Sequence, residues 1–218
     1  MKKTICLISA ILFCLILLFG LSGCGSANTK VEVEGREESV RMLDDFFAKT
    51  FENPNFVATT SCYGQVVTVE TIDGTSGCLE EITNDRKIYT FLKDGKYYTA
   101  VEDTKYYGIG ENYYNLNYCL FMLNVNEAKE MEDGSFTCKV EDGTTLVFEV
   151  ENNNIVVQIK AIKEDELVKS FTYESIKKDT NTHFGKTVEF TYGGASVSVP
   201  DLSDWKSDDT NLIDPNEE

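Results

Sequence analysis

One histidine and seven cysteines hold most of this sequence's capacity for nucleophilic or metal chemistry. A catalytic thiol or hydroxyl needs a base within hydrogen-bond reach, and a zinc site needs several thiolates or imidazoles at close spacing. Neither pattern is met. His183 lies in Asn181-Thr182-His183-Phe184-Gly185, a loop-like stretch, and reads as a surface residue. No Cys-x-x-Cys occurs, and Gly108-Ile109-Gly110 is too short for a nucleotide loop. The recurring acid-Gly pairs continue as turns rather than calcium loops. The sequence therefore points away from an enzyme and away from a metal or other cofactor. Tyr89, Tyr97, Tyr98, Tyr106, Tyr107, Tyr113, Tyr114 and Tyr118 are densely placed. They suit a stacking surface for sugar or peptide, or simply β-propensity and core filling, which is the preferred reading.

The first residues carry a different kind of chemistry. Met1-Lys2-Lys3, an apolar run from Ile5 to Phe19, and Leu21-Ser22-Gly23-Cys24 follow the order of a secretory signal. The run approaches the ~18 residues that span a bilayer, so an uncleaved anchor helix is the competing reading. Leu21-Ser22-Gly23-Cys24 decides between them. It resembles the lipobox of bacterial lipoproteins, whose cysteine receives diacylglycerol before the signal is cut ahead of it. The resemblance implies that residues 1–23 are a signal peptide and that Cys24 is the lipidation site. Residues 24–35 then form a tether. The expected location is the extracytoplasmic face of the cell membrane, held by two acyl chains, palmitate being a typical one.

Charge limits the partners. Without Lys2 and Lys3, 18 Lys+Arg face 37 Asp+Glu, a net of −19. A surface so acidic repels nucleic acid and anionic lipid, so the expected membrane contact is through the lipid on Cys24. With Cys24 acylated, Cys62, Cys78, Cys119 and Cys138 remain, an even count that suggests two disulfides in an exported protein. Three pairings are open, and free buried thiols are the competing reading. Cys119–Cys138 with Cys62–Cys78 is the preferred pairing, because it would pin a helix to the sheet.

Stepping along the chain, Arg36 to Phe51 has the 3.6 period of an amphipathic helix. Val40, Leu43, Phe47 and Phe51 form one stripe with Phe46 beside it, and Asn53-Pro54-Asn55 ends it. The period then falls to two. Phe56 to Thr71 reads as one long strand, followed by short strands at Cys78–Thr83, Lys87–Leu92 and Lys96–Val101. Tyr113 to Leu123 returns to helical spacing and is apolar nearly all round, as a buried lid would be. Clean alternation resumes through Phe136/Cys138/Val140, Leu146/Phe148/Val150, Ile155/Val157/Ile159/Ala161, Phe171/Tyr173 and Val188/Phe190/Tyr192. Short turns between these runs imply antiparallel hairpins.

These elements predict an α+β fold over residues 36–201. Its core is a large curved antiparallel β-sheet of roughly ten strands, a half-barrel meander. The N-terminal helix and the lid helix are expected on its concave face, followed by an acidic disordered tail at 202–218. Asn55-Phe56-Val57, Asp94-Gly95-Lys96-Tyr97-Tyr98 and the closing Tyr192-Gly193-Gly194 to Val199-Pro200-Asp201 resemble segments of one superfamily. It is the LolA/LolB and LppX/LprG-like superfamily of lipoprotein and lipid carriers. That resemblance implies binding or carriage of a lipid or other apolar ligand and brings no catalytic residues. The ligand-lining residues expected are Phe136, Leu146, Phe148, Val157, Ile159, Phe171 and Phe190, with Leu120 and Leu123 from the lid. The alternative is a surface-exposed interaction lipoprotein whose core is fully packed and takes no ligand.

Overall fold

A computed structural model of the chain describes residues 30–52, 54–110 and 120–207, with backbone alone for 110 and 120–124. Cys24 and Cys119, and the 208–218 part of the expected tail, lie outside the described residues. The first element is a short strand, β1 (Val31–Glu34), antiparallel to β8 (Ser135–Glu141). This corrects the expected tether at its end. Val31 and Val33 alternate with Glu32 and Glu34, a two-residue period too brief to stand out from a linker.

Helix α1 (Arg36–Glu52) follows, with Glu37 and Glu38 in its first turn and Lys49 in its last, both favourable to the helix dipole. Its buried residues are Ser39, Leu43, Phe46, Phe47 and Thr50. The apolar stripe is thus as expected, but two small hydroxyl residues complete the seam.

The region expected as one strand from Phe56 to Thr71 is instead a hairpin of β2 (Asn55–Cys62) and β3 (Gln65–Asp73). Tyr63 and Gly64 make the turn with φ of 50° and 76°, the left-handed pair that a two-residue hairpin loop requires. Tyrosine at the first of these positions hides the turn signal. The meander continues as β4 (Ser76–Glu81), β5 (Arg86–Lys93), β6 (Lys96–Val101) and β7 (Tyr106–Gly110). Helix α2 (Leu120–Glu130) then leads into β8. The expected helix at 113–123 overlaps it only at 120–123, its earlier part lying outside the described residues. The second meander is β8, β9 (Thr145–Asn152), β10 (Ile155–Glu164), β11 (Leu167–Lys177) and β12 (Thr182–Tyr192). His183, expected in a loop, is inside β12 and exposed. Residues 202–207 of the expected tail end in β13 (Lys206–Ser207), which pairs with β7 in parallel.

The thirteen strands form one open sheet in the order β1-β8-β9-β10-β11-β12-β2-β3-β4-β5-β6-β7-β13. It is two meanders side by side rather than one. The connection through α2 carries the chain from one edge of the sheet to the other, so β12 closes against β2.

Directly opposed residues in antiparallel strands share a face, and the register therefore assigns each side chain. One face carries Cys138, Phe148, Ile159, Tyr173, Val188, Phe190, Ala58, Phe56 and Ile72, all in a single buried cluster with Leu43, Phe46 and Phe47 of α1 and Val125 and Ala128 of α2. α1 packs on β8, β11, β9 and β1. Beyond β3 the burial is divided between the faces, with Gly77, Thr99 and Gly108 still buried on the main one. Phe91 and Ala100 are buried, yet they lie on the opposite face, in register with Ser76 and Tyr89.

Candidate functional site

The second meander positions the residues expected to line a ligand. Phe136, Leu146, Phe148, Val157, Ile159, Phe171 and Phe190 all point to the α1 face and are all buried, none more than 4% exposed. Their rings interlock with the helix and one another. Phe47 meets Phe171 edge-on at 5.9 Å, Phe56 meets Phe190 at 5.3 Å, and Phe136 meets Phe148 at 6.2 Å. The sheet brings the seven positions together beneath α1. The side chains of Leu120 and Leu123 lie outside the described residues.

Polar groups at the rim of this cluster fasten the helices, and the sequence analysis missed them. Val168 N–H donates to Thr50 Oγ1 at 3.0 Å, and the Tyr192 hydroxyl donates to the Val168 carbonyl. The Tyr173 hydroxyl donates to Glu127 of α2 at 3.1 Å; burial, then the Glu127 charge, pushes its pKa up. Arg36 donates to the carbonyls of Lys129 and Met131 at the end of α2 and sits 4.9 Å over the Phe136 ring. A threonine or glutamate on a helical stripe reads as an imperfection in amphipathicity, so no sequence signal singles these out.

The first meander offers a different surface on the same face. Leu79, Ile88 and Val101 are consecutive cross-strand neighbours, and each is half-buried. Thr90 and Thr99 form the next row, and Tyr97 stands at the edge. Arg86 and Glu81 lie 3.9 Å apart on the other side. This row is apolar in the middle and polar at both flanks.

The cysteines do not come together as expected. Cys62, Cys78 and Cys138 are free. Cys62 opposes Gln65 and Cys78 opposes Thr71 on the same strand, which places them about 20 Å apart along it. A disulfide needs Cα atoms near ~5.5 Å, so the expected Cys62–Cys78 bond is not formed. The sequence shows that both lie on strands, but strand register decides the distance. Cys138 is fully buried opposite Phe148, and that burial pushes its thiol up to about 12. On the far face, burial also raises the Cys78 thiol, and it raises neighbouring Tyr89 to about 12.

Open dents flank α1. One of about 380 Å³ is lined by Asp45, Ala48, Lys49, Glu52, Lys163 and Glu166, and one of about 610 Å³ by Arg36, Glu37, Val40, Arg41, Asp44 and Lys129. Their charged linings do not suit an acyl chain. His183 Nε2 lies 3.6 Å from Glu174 on an exposed stretch, and it reaches no nucleophile in that contact. Among the described residues no group of three or more His, Cys, Asp or Glu is arranged to hold a metal. No described helix is long and apolar enough to cross a membrane. Neither the protein-family models nor the curated proteins provide a match to the chain.

Proposed function

We propose that the chain is a lipid-anchored extracytoplasmic binding protein, built on a carrier-like half-barrel, that takes an acyl chain or another apolar ligand. The observation that carries this is the uneven filling of the sheet. α1 and its phenylalanines fill the second meander, while Leu79, Ile88, Val101 and Tyr97 of the first meander remain half-buried on the same face. An apolar row with polar flanks suits a chain-like ligand lying across strands. The seven wall positions expected from the sequence serve instead as the packed base of the scaffold, since a ligand could reach them only by displacing α1. In this reading the helix spanning 120–130, whose Val125 and Ala128 belong to the core, would serve as the lid.

A second reading has its own support. Burial of all seven positions favours an interaction module with a packed core and no ligand. One bulky substitution separates the readings, and a second is its control. Ile88→Trp should block uptake of a fluorescent fatty-acid probe while leaving thermal stability nearly unchanged. Val157→Trp should overpack the filled half and cost ~1–3 kcal/mol. If the parent domain neither binds the probe nor carries a lipid visible by native mass spectrometry, the carrier reading is wrong and the packed module stands.

A further inference from the structure

The face of β4–β7 turned away from the main core has an aromatic cluster of its own. Phe91 and Tyr98 stack with ring centroids 5.2 Å apart and 1° between planes, and Tyr107 follows at 6.0 Å from Tyr98. Cys78, Tyr89, Ala100 and Tyr107 form the adjoining cross-strand row. Phe91 is 2% exposed and Ala100 0%, although the main core and the buried residues of both helices lie on the other side. Something must cover them there.

Among the described residues, the C-terminal segment is the one anchored at both sides of this face. At its start, Asn55 accepts from the Ala195 N–H at 3.2 Å and donates to the Ala195 carbonyl at 3.0 Å. Asn55 opposes Asp73, and Asp73 opposes Ser76, so this anchor is on the aromatic face. At its other end, Lys206 N–H donates to the Lys105 carbonyl at 2.9 Å, and Lys105 Nζ lies 4.6 Å from the centre of the Trp205 ring. From β2 to β7 there are five strand spacings, about 24 Å. The eleven peptide steps from Ala195 to Lys206 reach at most about 40 Å. The turn closed by Trp205 N–H to the Leu202 carbonyl shortens that reach. A path across the face fits both anchors and leaves little slack for a detour. Ala195, Val197, Pro200, Leu202 and Trp205 are half-buried along this path.

We propose that Ala195–Ser207 is a strap that opens about Gly193-Gly194, uncovering the Phe91–Tyr98–Tyr107 face and the Cys78 thiol while the main core stays folded. Gly193 and Gly194 have φ of 80° and 75°, and a Cβ added at either would meet nothing within 4 Å. The pair is therefore glycine for its backbone freedom, as a hinge requires, and not for close packing. The strap's contacts are of the kind that open first. They are a two-residue strand, a side-chain clamp at Asn55 and a cation over Trp205, against pairings of eight to ten residues between β9, β10 and β11.

Thiol labelling of the full chain tests the strap, with each cysteine followed by peptide mass spectrometry. Trp205→Ala removes one anchor. It should raise the labelling rate of Cys78 roughly tenfold and leave Cys138 protected. Equal Cys78 rates in parent and variant overturn the proposal, and so does a parallel rise at Cys138, which signals opening of the core. Hydrogen exchange on the parent provides a test without mutation. The Ala195 and Lys206 amides should exchange at least ~100-fold faster than those of β10 and β11. If they exchange at the core rate, the segment belongs to the cooperative fold and is no strap.

Discussion

Cys138 sits opposite Val33 of the edge strand on one side and Phe148 on the other, fully buried on the apolar face. Ionising it there would place a thiolate among hydrocarbon, so the folded state holds the proton more tightly than the unfolded chain does. With the folded pKa raised to about 12 from 9.0, the stabilisation is complete below pH 9 and is lost as pH rises from 9 towards 12. Tyr89 behaves alike between pH 10 and about 12. The expected outcome is a stability that declines above pH 9, with Cys138 contributing ~1 kcal/mol per pH unit. Urea unfolding between pH 8 and 11 measures it, and Cys138→Ala should flatten the slope. An unchanged slope would mean that the thiol ionises without penalty. On the same geometry, denatured, unreduced protein should show Cys62, Cys78 and Cys138 as reactive thiols.

At the scale of elements, close approach counts as much as apolarity. Gly134 lies just before β8, where a Cβ would stand 2.8 Å from the Glu151 carbonyl oxygen and 3.2 Å from a Val150 methyl. The obstacle is backbone of β9, which cannot swing aside as a flexible side chain would. Gly134→Ala should therefore destabilise by ~1–3 kcal/mol, read as a fall in the urea midpoint. Gly143→Ala is the contrast. Its site is empty within 4 Å, and its cost comes from a φ of 68°. That strain amounts to about 1 kcal/mol. Equal and negligible losses at both positions would contradict the β8–β9 register. In sequence the two glycines look alike, each following an aspartate in a turn. One is glycine for space and the other for conformation, a distinction that exists only once the strands are paired.

For the whole molecule, the two meanders differ in how they are stabilised. The second is sealed by α1, whereas the first shares its burial between two faces, one of them flanked by the anchors of the proposed strap. The acidic surface repels anionic lipid, so the proposed place at a membrane would rest on the lipobox-like Leu21-Ser22-Gly23-Cys24. Cys24→Ala should therefore leave an uncleaved precursor that takes up no labelled fatty acid in its host. A variant still processed at Gly23 and still acylated would remove the anchor from the proposed function. Because β1 begins at Val31, a lipid anchor at Cys24, as proposed, would hold the β1–β8 edge near the bilayer.

What the sequence determined by itself was local. Periods of 3.6 and 2 marked α1 and the strands of the second meander, because each of those elements buries one face and exposes the other. The same alternation named Phe136, Leu146, Phe148, Val157, Ile159, Phe171 and Phe190 as inward. Tertiary structure decided what inward meant. α1 lies on these residues and makes them core, and the connection through α2 sets β12 against β2. The first meander was harder to read because its burial is divided between two faces, Thr99 on one and Phe91 and Ala100 on the other, so no single alternation runs through it. The Tyr63–Gly64 turn, the separation of Cys62 from Cys78, and the path of residues 195–207 depend on register and on what crosses the sheet. Both are set by contacts between residues far apart in the chain.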